Sequence, residues 1–110
     1  MEITRGSIVV VATRGAYTGK PRQAIVVQAD LFNPTPGSIS LCLITADCVD
    51  APLFRITLPA GEQTGLSIVS QVMVDKVVSV PRTAIAREIG RCDSLHLERI
   101  EDALRLWFGL

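Results

Sequence analysis

Two cations and a hydroxyl stand where this sequence can do chemistry. Lys20 and Arg22 flank Pro21 in Thr18-Gly19-Lys20-Pro21-Arg22-Gln23, just ahead of the apolar run Ala24-Ile25-Val26-Val27. Pro21 fixes its own φ and turns Lys20 away from helical backbone. Both cations are thereby held at the root of a rigid strand, where an anion is bound with little loss of entropy. Thr45 ends the stretch Leu43-Ile44-Thr45, where a strand gives way to a loop. A hydroxyl there can donate to an oxyanion from a fixed base.

Those residues need elements to position them. Ser7 to Thr13 is β-branched and apolar, and reads as a first strand. Arg14 to Arg22 form a long loop, and Ala24 to Ala29 a second strand. Asn33-Pro34-Thr35-Pro36-Gly37 break the chain. Ser38 to Ile44 place Ile39, Leu41 and Leu43 on one face of a third strand. Thr45 to Pro52 form a loop. Leu53 to Leu58 alternate again, Pro59 to Gly65 turn, and Leu66 to Val74 make a further strand that Lys76 to Val80 extend. Pro81 opens a short helix, Arg82 to Ala86, and Glu88 to Gly90 add an edge strand. Asp93 or Ser94 caps a last helix, Leu95 to Phe108, ended by Gly109. Leu97, Ile100, Leu104 and Phe108 form its apolar stripe, bordered by Ala103 and Trp107, and Glu101 with Arg105 is spaced as an i,i+4 ion pair.

Short strands with turn signals followed by a helix predict a mainly β fold. The expected architecture is a small SH3-like antiparallel barrel with helical additions, chiefly the C-terminal helix. The 110 residues suffice for one domain, and 48% apolar content excludes general disorder. Eleven basic and eleven acidic residues cancel, which excludes a globally basic surface but not a local one. Before residue 30, Arg5, Arg14, Lys20 and Arg22 face only Glu2.

Cys42, Cys48 and Cys92 are odd in number and contain no C-x-x-C pair, so neither a zinc site nor a disulfide framework is expected. Reduced thiols, no signal peptide and no apolar run near the roughly 20 residues of a membrane span point to the cytoplasm. His96, the only histidine, falls in the first turn of the last helix and reads as a surface residue. Asn33 reads as a turn support, and Trp107 and Phe108 as packing for that helix.

In order and spacing, several stretches resemble the MazF/PemK/Kid family of toxin endoribonucleases. They are Arg5-Gly6-Ser7-Ile8-Val9, Gly19 to Gln28, Leu43-Ile44-Thr45, Gln71 to Lys76, Ile89-Gly90-Arg91 and Ala103 to Leu110. The resemblance spans nearly the whole chain and treats residues 1–110 as one domain. It implies a dimeric barrel that cleaves single-stranded RNA without a metal or other cofactor. It also implies a cognate MazE/PemI-like antitoxin, with DNA reached only through that partner. By resemblance Arg22 and Thr45 are the active-site residues. The ribose 2′-hydroxyl attacks the adjacent phosphorus, Arg22 meets two phosphoryl oxygens in a fork, and Thr45 donates a further hydrogen bond. Lys20 and Thr18 hold flanking phosphates, Tyr17 offers a stacking surface, and Gln71 is a fourth expected RNA contact.

Three positions depart from the family pattern. Ser70 stands where an acidic residue is common, Met73 where an arginine is, and Ser7 where an aspartate is. A scheme with that later acidic residue as base therefore fails here, which leaves Asp47 as the nearest carboxylate to Thr45. Two other readings compete: a CcdB-like gyrase poison, suggested by Trp107 near the chain end, and an inert SH3-like binding module.

Overall fold

The computed structural model describes residues 2–12, 20–34 and 37–110. Six strands form one antiparallel sheet: β1 (Ser7–Val11), β2 (Arg22–Val26), β3 (Ser38–Thr45), β4 (Arg55–Leu58), β5 (Ser70–Pro81) and β6 (Ile85–Arg91). Helix α1 (Ser94–Phe108) follows. The strand order is β4-β5-β3-β2-β1-β6, so β4 and β6 are the edges. The mainly β antiparallel fold with a C-terminal helix is the one the sequence predicts, but the barrel is not closed by a ladder.

Closure is made by a loop instead. The strand expected from Leu66 starts only at Ser70, and the turn expected over Pro59 to Gly65 folds back, with Gly65 N–H donating to Gly61 O and Thr64 Oγ1 to Pro59 O. It then lies against β6, where Arg91 N–H donates to Gln63 O at 2.7 Å. Two glycines permit this approach. A Cβ at Gly65 would lie 1.9 Å from Ile89 O, and one at Gly90 would lie 2.3 Å from the Thr64 carbonyl.

Both faces of the sheet are buried, not one. Val9, Val11, Ala24, Val26, Leu41 and Leu43 pack on one side with Val80 and Ile85. Ile8, Ile25, Cys42 and Ile44 pack on the other side with Val72, Leu58 and α1. From α1, Ile100 and Ala103 are buried, while Phe108 at the end of the expected stripe is exposed. Trp107 rests on Phe54, ring centroids 5.6 Å apart, and stays half-exposed. Asp93 caps α1 by accepting from His96 N–H, and Gly109 ends it at φ +72°.

Other bounds shift for physical reasons. β2 starts at Arg22 and ends at Val26, because Gln28 turns to bond Asn33 and Ser40 N–H. β5 runs unbroken through Asp75. Cys42 pairs with Val77 and Ile44 with Val72, so Met73 to Lys76 bulge opposite Leu43 alone. Such a bulge bends the sheet. Arg55 on β4 holds the bulge, with Nε 2.9 Å from Asp75 Oδ1. The expected Glu101–Arg105 pair does not form. Glu101 turns toward half-buried Arg5 at 3.0 Å, and Arg105 pairs with Asp102 at 2.9 Å. Among the described residues no helix is long and apolar enough to cross a membrane.

Candidate active site

Antiparallel pairing brings Arg22 and Thr45 together. Ala24 lies opposite Leu43, Ile25 opposite Cys42 and Val26 opposite Leu41. Carried to the strand ends, that register sets Arg22 against Thr45. On their flanks Val11 pairs with Arg22 and Gln71 with Thr45. Arg22 is thus in the strand rather than the loop, and Thr45 is the last residue of β3. Both are half-buried and line one open groove of about 520 Å³ with Val10, Gln23, Ile44 and Arg87.

The Thr45 hydroxyl is oriented. Its Oγ1 accepts from Asp47 N–H at 3.1 Å, which leaves the hydroxyl proton to be donated elsewhere. Asp47 therefore serves Thr45 through its amide, and its exposed carboxylate is not among the groove's lining groups. Two guanidinium groups, Arg22 and Arg87, line the groove, and no carboxylate joins them among its described lining residues. Exposed Lys20 lies just before it in the chain. Tyr17 and Thr18, with the rest of residues 13–19, lie outside the described residues.

Gln71 packs against the loop that follows Thr45. Its side chain is buried: Oε1 accepts from Val49 N–H at 3.0 Å, and Nε2 donates to Val49 O at 2.9 Å. It fastens the loop after Thr45. Ser70 is also buried and donates to Ile68 O, and Met73 packs in the core. Arg87 is the groove residue that sequence reasoning missed. Its only signal was a cation just ahead of the expected edge strand Glu88 to Gly90.

The remaining reactive side chains lie elsewhere. Burial, with Asp75 nearby, pushes the Cys42 thiol up to about 12, and burial pushes Cys92 up to about 11. Neither is a thiolate at neutral pH. His96 Nδ1 sits 2.8 Å from the Asp93 carboxylate. That carboxyl is held below its ordinary value by the His96 backbone N–H first and the His96 side chain second. Asn33 does support its turn, bonding Gln28 and Asp30 from a buried position. Among the described residues no group of three or more His, Cys, Asp or Glu is placed to hold a metal ion.

A family model described as PemK-like, MazF-like toxin of type II toxin-antitoxin system matches residues 4–108. The chain belongs to that family. It is 42% identical over 106 residues to a probable endoribonuclease MazF of Mycolicibacterium smegmatis, covering 96% of each. It is 28% identical over 102 residues to endoribonuclease MazF9 of Mycobacterium tuberculosis, covering 88% of this chain and 86% of that one. The fold matches Mycobacterium tuberculosis toxin MazF-mt6 with a TM-score of 0.81 at 18% identity, over 94% of this chain and 97% of that one. A chain of the Deinococcus radiodurans MazE-MazF crystal structure matches with a TM-score of 0.81 at 24% identity, over 97% of this chain and 96% of the other. Membership of the MazF-like toxins favours the ribonuclease reading over the gyrase-poison and inert-module alternatives.

Proposed function

We propose that this chain is the toxin of a type II toxin–antitoxin pair and an endoribonuclease that cuts single-stranded RNA in the cytoplasm, so inhibiting translation. The observation that carries the reading is the shared groove of Arg22 and Thr45 at the ends of two adjacent strands. RNA carries its own nucleophile, so the protein's task is positioning and charge stabilisation. The ribose 2′-oxygen attacks the neighbouring phosphorus and loses its proton. The bond from phosphorus to the 5′-oxygen breaks, and that oxygen gains a proton. The products are a 2′,3′-cyclic phosphate and a 5′-hydroxyl.

Negative charge grows on the phosphoryl oxygens along this path. Arg22 meets two of them in a planar fork, and Thr45 donates the proton that its bond from Asp47 N–H leaves available. Arg22 works by charge and geometry, since its pKa above about 12 makes proton loss costly. Lys20 raises the local cation density along the backbone's path. Residues 1–110 act as one domain and pair into a homodimer. A MazE/PemI-like antitoxin segment, acidic with apolar anchors, silences the toxin by filling the cationic groove in place of RNA.

The test is incubation of purified protein with a long single-stranded RNA in EDTA, followed by end analysis. Cyclic phosphate and 5′-hydroxyl ends formed in the chelator support the reading. Activity that needs added magnesium or manganese, or 5′-phosphate ends, refutes it.

A further inference from the structure

The groove extends beyond the two residues at its chemical end. Arg87 on β6 pairs with Val10 on β1, and Val10 pairs with Gln23 on β2. The β2–β3 register sets Gln23 opposite Ile44. Directly opposed residues share a face of a sheet. Arg87, Val10, Gln23 and Ile44 thus form a row across four strands. By the two-residue alternation of a strand, Arg22 and Thr45 stand on the opposite face at the end of their strands. All six line the same groove.

The row has a mixed chemistry. Val10 and Ile44 are 8% and 4% exposed and form an apolar floor. Gln23 is half-exposed and Arg87 exposed. Among the described residues neither side chain has a hydrogen-bonding or ionic partner in the protein. Across β1 their Cα atoms are roughly 10 Å apart, two strand spacings. A neutral amide is a poor choice for phosphate, which offers acceptors only and leaves the amide oxygen unserved. A base edge offers both donors and acceptors. A flat base also suits an apolar floor. The phosphate and base of one nucleotide leave the ribose in different directions, as the two halves of this groove do.

We propose that Gln23 and Arg87 form a base-reading subsite beside the Arg22–Thr45 phosphate site, and that the base taken is guanine. The guanidinium of Arg87 matches the paired O6 and N7 acceptors of guanine; adenine and uracil have no such adjacent pair, and cytosine has one only as O2 and N3 on its Watson–Crick edge. Gln23 holds the same base from its far side through its amide. This inference rests on the ribonuclease reading for the position of the phosphate.

The test compares the parent with Gln23→Ala, Arg87→Ala and Arg87→Lys on a pool of random-sequence RNA, mapping every cut by its 5′-hydroxyl end. Binding of 2′-O-methyl oligonucleotides, which cannot be cut, is measured alongside. The parent fixes guanine at one position of the cut site. Arg87→Ala relaxes that preference on the order of 10- to 100-fold, Arg87→Lys restores little of it, and Gln23→Ala relaxes it less. A uniform fall in rate with an unchanged cut profile makes Arg87 a phosphate anchor and overturns the proposal while leaving the ribonuclease reading intact. A parent that binds guanine-containing oligonucleotides selectively but cuts nothing, with selectivity lost in Arg87→Ala, supports the subsite and overturns the ribonuclease reading. A parent that binds no RNA overturns both.

Discussion

Thr45 depends on the neighbours that hold its loop. Gln71 clamps both polar groups of the Val49 backbone, and that clamp fixes the loop whose Asp47 N–H orients the Thr45 hydroxyl. Gln71→Ala is expected to cost about 1–2 kcal/mol of stability and to slow single-turnover cleavage more than it weakens RNA binding. Urea unfolding and single-turnover kinetics check this, and cleavage falling only in step with binding contradicts the orienting role. A second residue-scale effect is acid sensitivity at Asp75. The hydrogen bond from Arg55 holds its carboxyl below the ordinary value. The ionised form thus stabilises the fold above the ordinary carboxylate pKa, and that contribution is lost as pH falls through the lowered value. Asp75→Asn should lower the urea midpoint at neutral pH and flatten its decline between about pH 5 and pH 2. Parallel curves for parent and variant refute this. Arg22 was legible because Pro21 marks the strand's start, and Thr45 because it closes an alternating run. Arg87 was not, since two register shifts between β1 and β6 set which β6 residue faces the groove, and only the folded pairing reveals them.

At the scale of elements, α1 was the most legible part. A cap at Asp93, a stop at Gly109 and a buried Ile100 all follow from local rules that need no tertiary partner. The bulge of β5 opposite Leu43 was hidden, because polar Asp75 and Lys76 read as a break until Arg55 is seen to hold Asp75. The turn between β4 and β5 over Pro59 to Gly65 was legible, but Leu66 to Val69 read as strand although β5 starts only at Ser70. Those apolar residues are real, but Gly65 and Gly90 let the turn press backbone-to-backbone on β6. Gly90→Ala puts a methyl group into the Thr64 carbonyl and should destabilise by about 3 kcal/mol or more. Thermal or urea unfolding checks the value, and a loss under about 1 kcal/mol means that the loop does not seal the sheet as described.

The whole molecule leaves a curled sheet with two edges and a groove at one end. The fold class was legible from strand count and turn signals, while the absence of a closing ladder was not, because closure depends on contacts far apart in the chain. Exposed edges and half-covered apolar residues such as Trp107 favour pairing with a second copy. Sedimentation at micromolar concentration is expected to give a dimer, and a fully active monomer contradicts that expectation. The central claim is that Arg22 stabilises the transition state through a planar fork rather than charge alone. The most direct measurement is single-turnover cleavage, with binding to an uncleavable RNA, for the parent, Arg22→Lys and Thr45→Val. Arg22→Lys is expected to lose on the order of 10²–10³ in rate but to bind RNA nearly as well, with a smaller loss of the same kind for Thr45→Val. An Arg22→Lys variant that cleaves as fast as the parent makes Arg22 an electrostatic anchor and contradicts the mechanism.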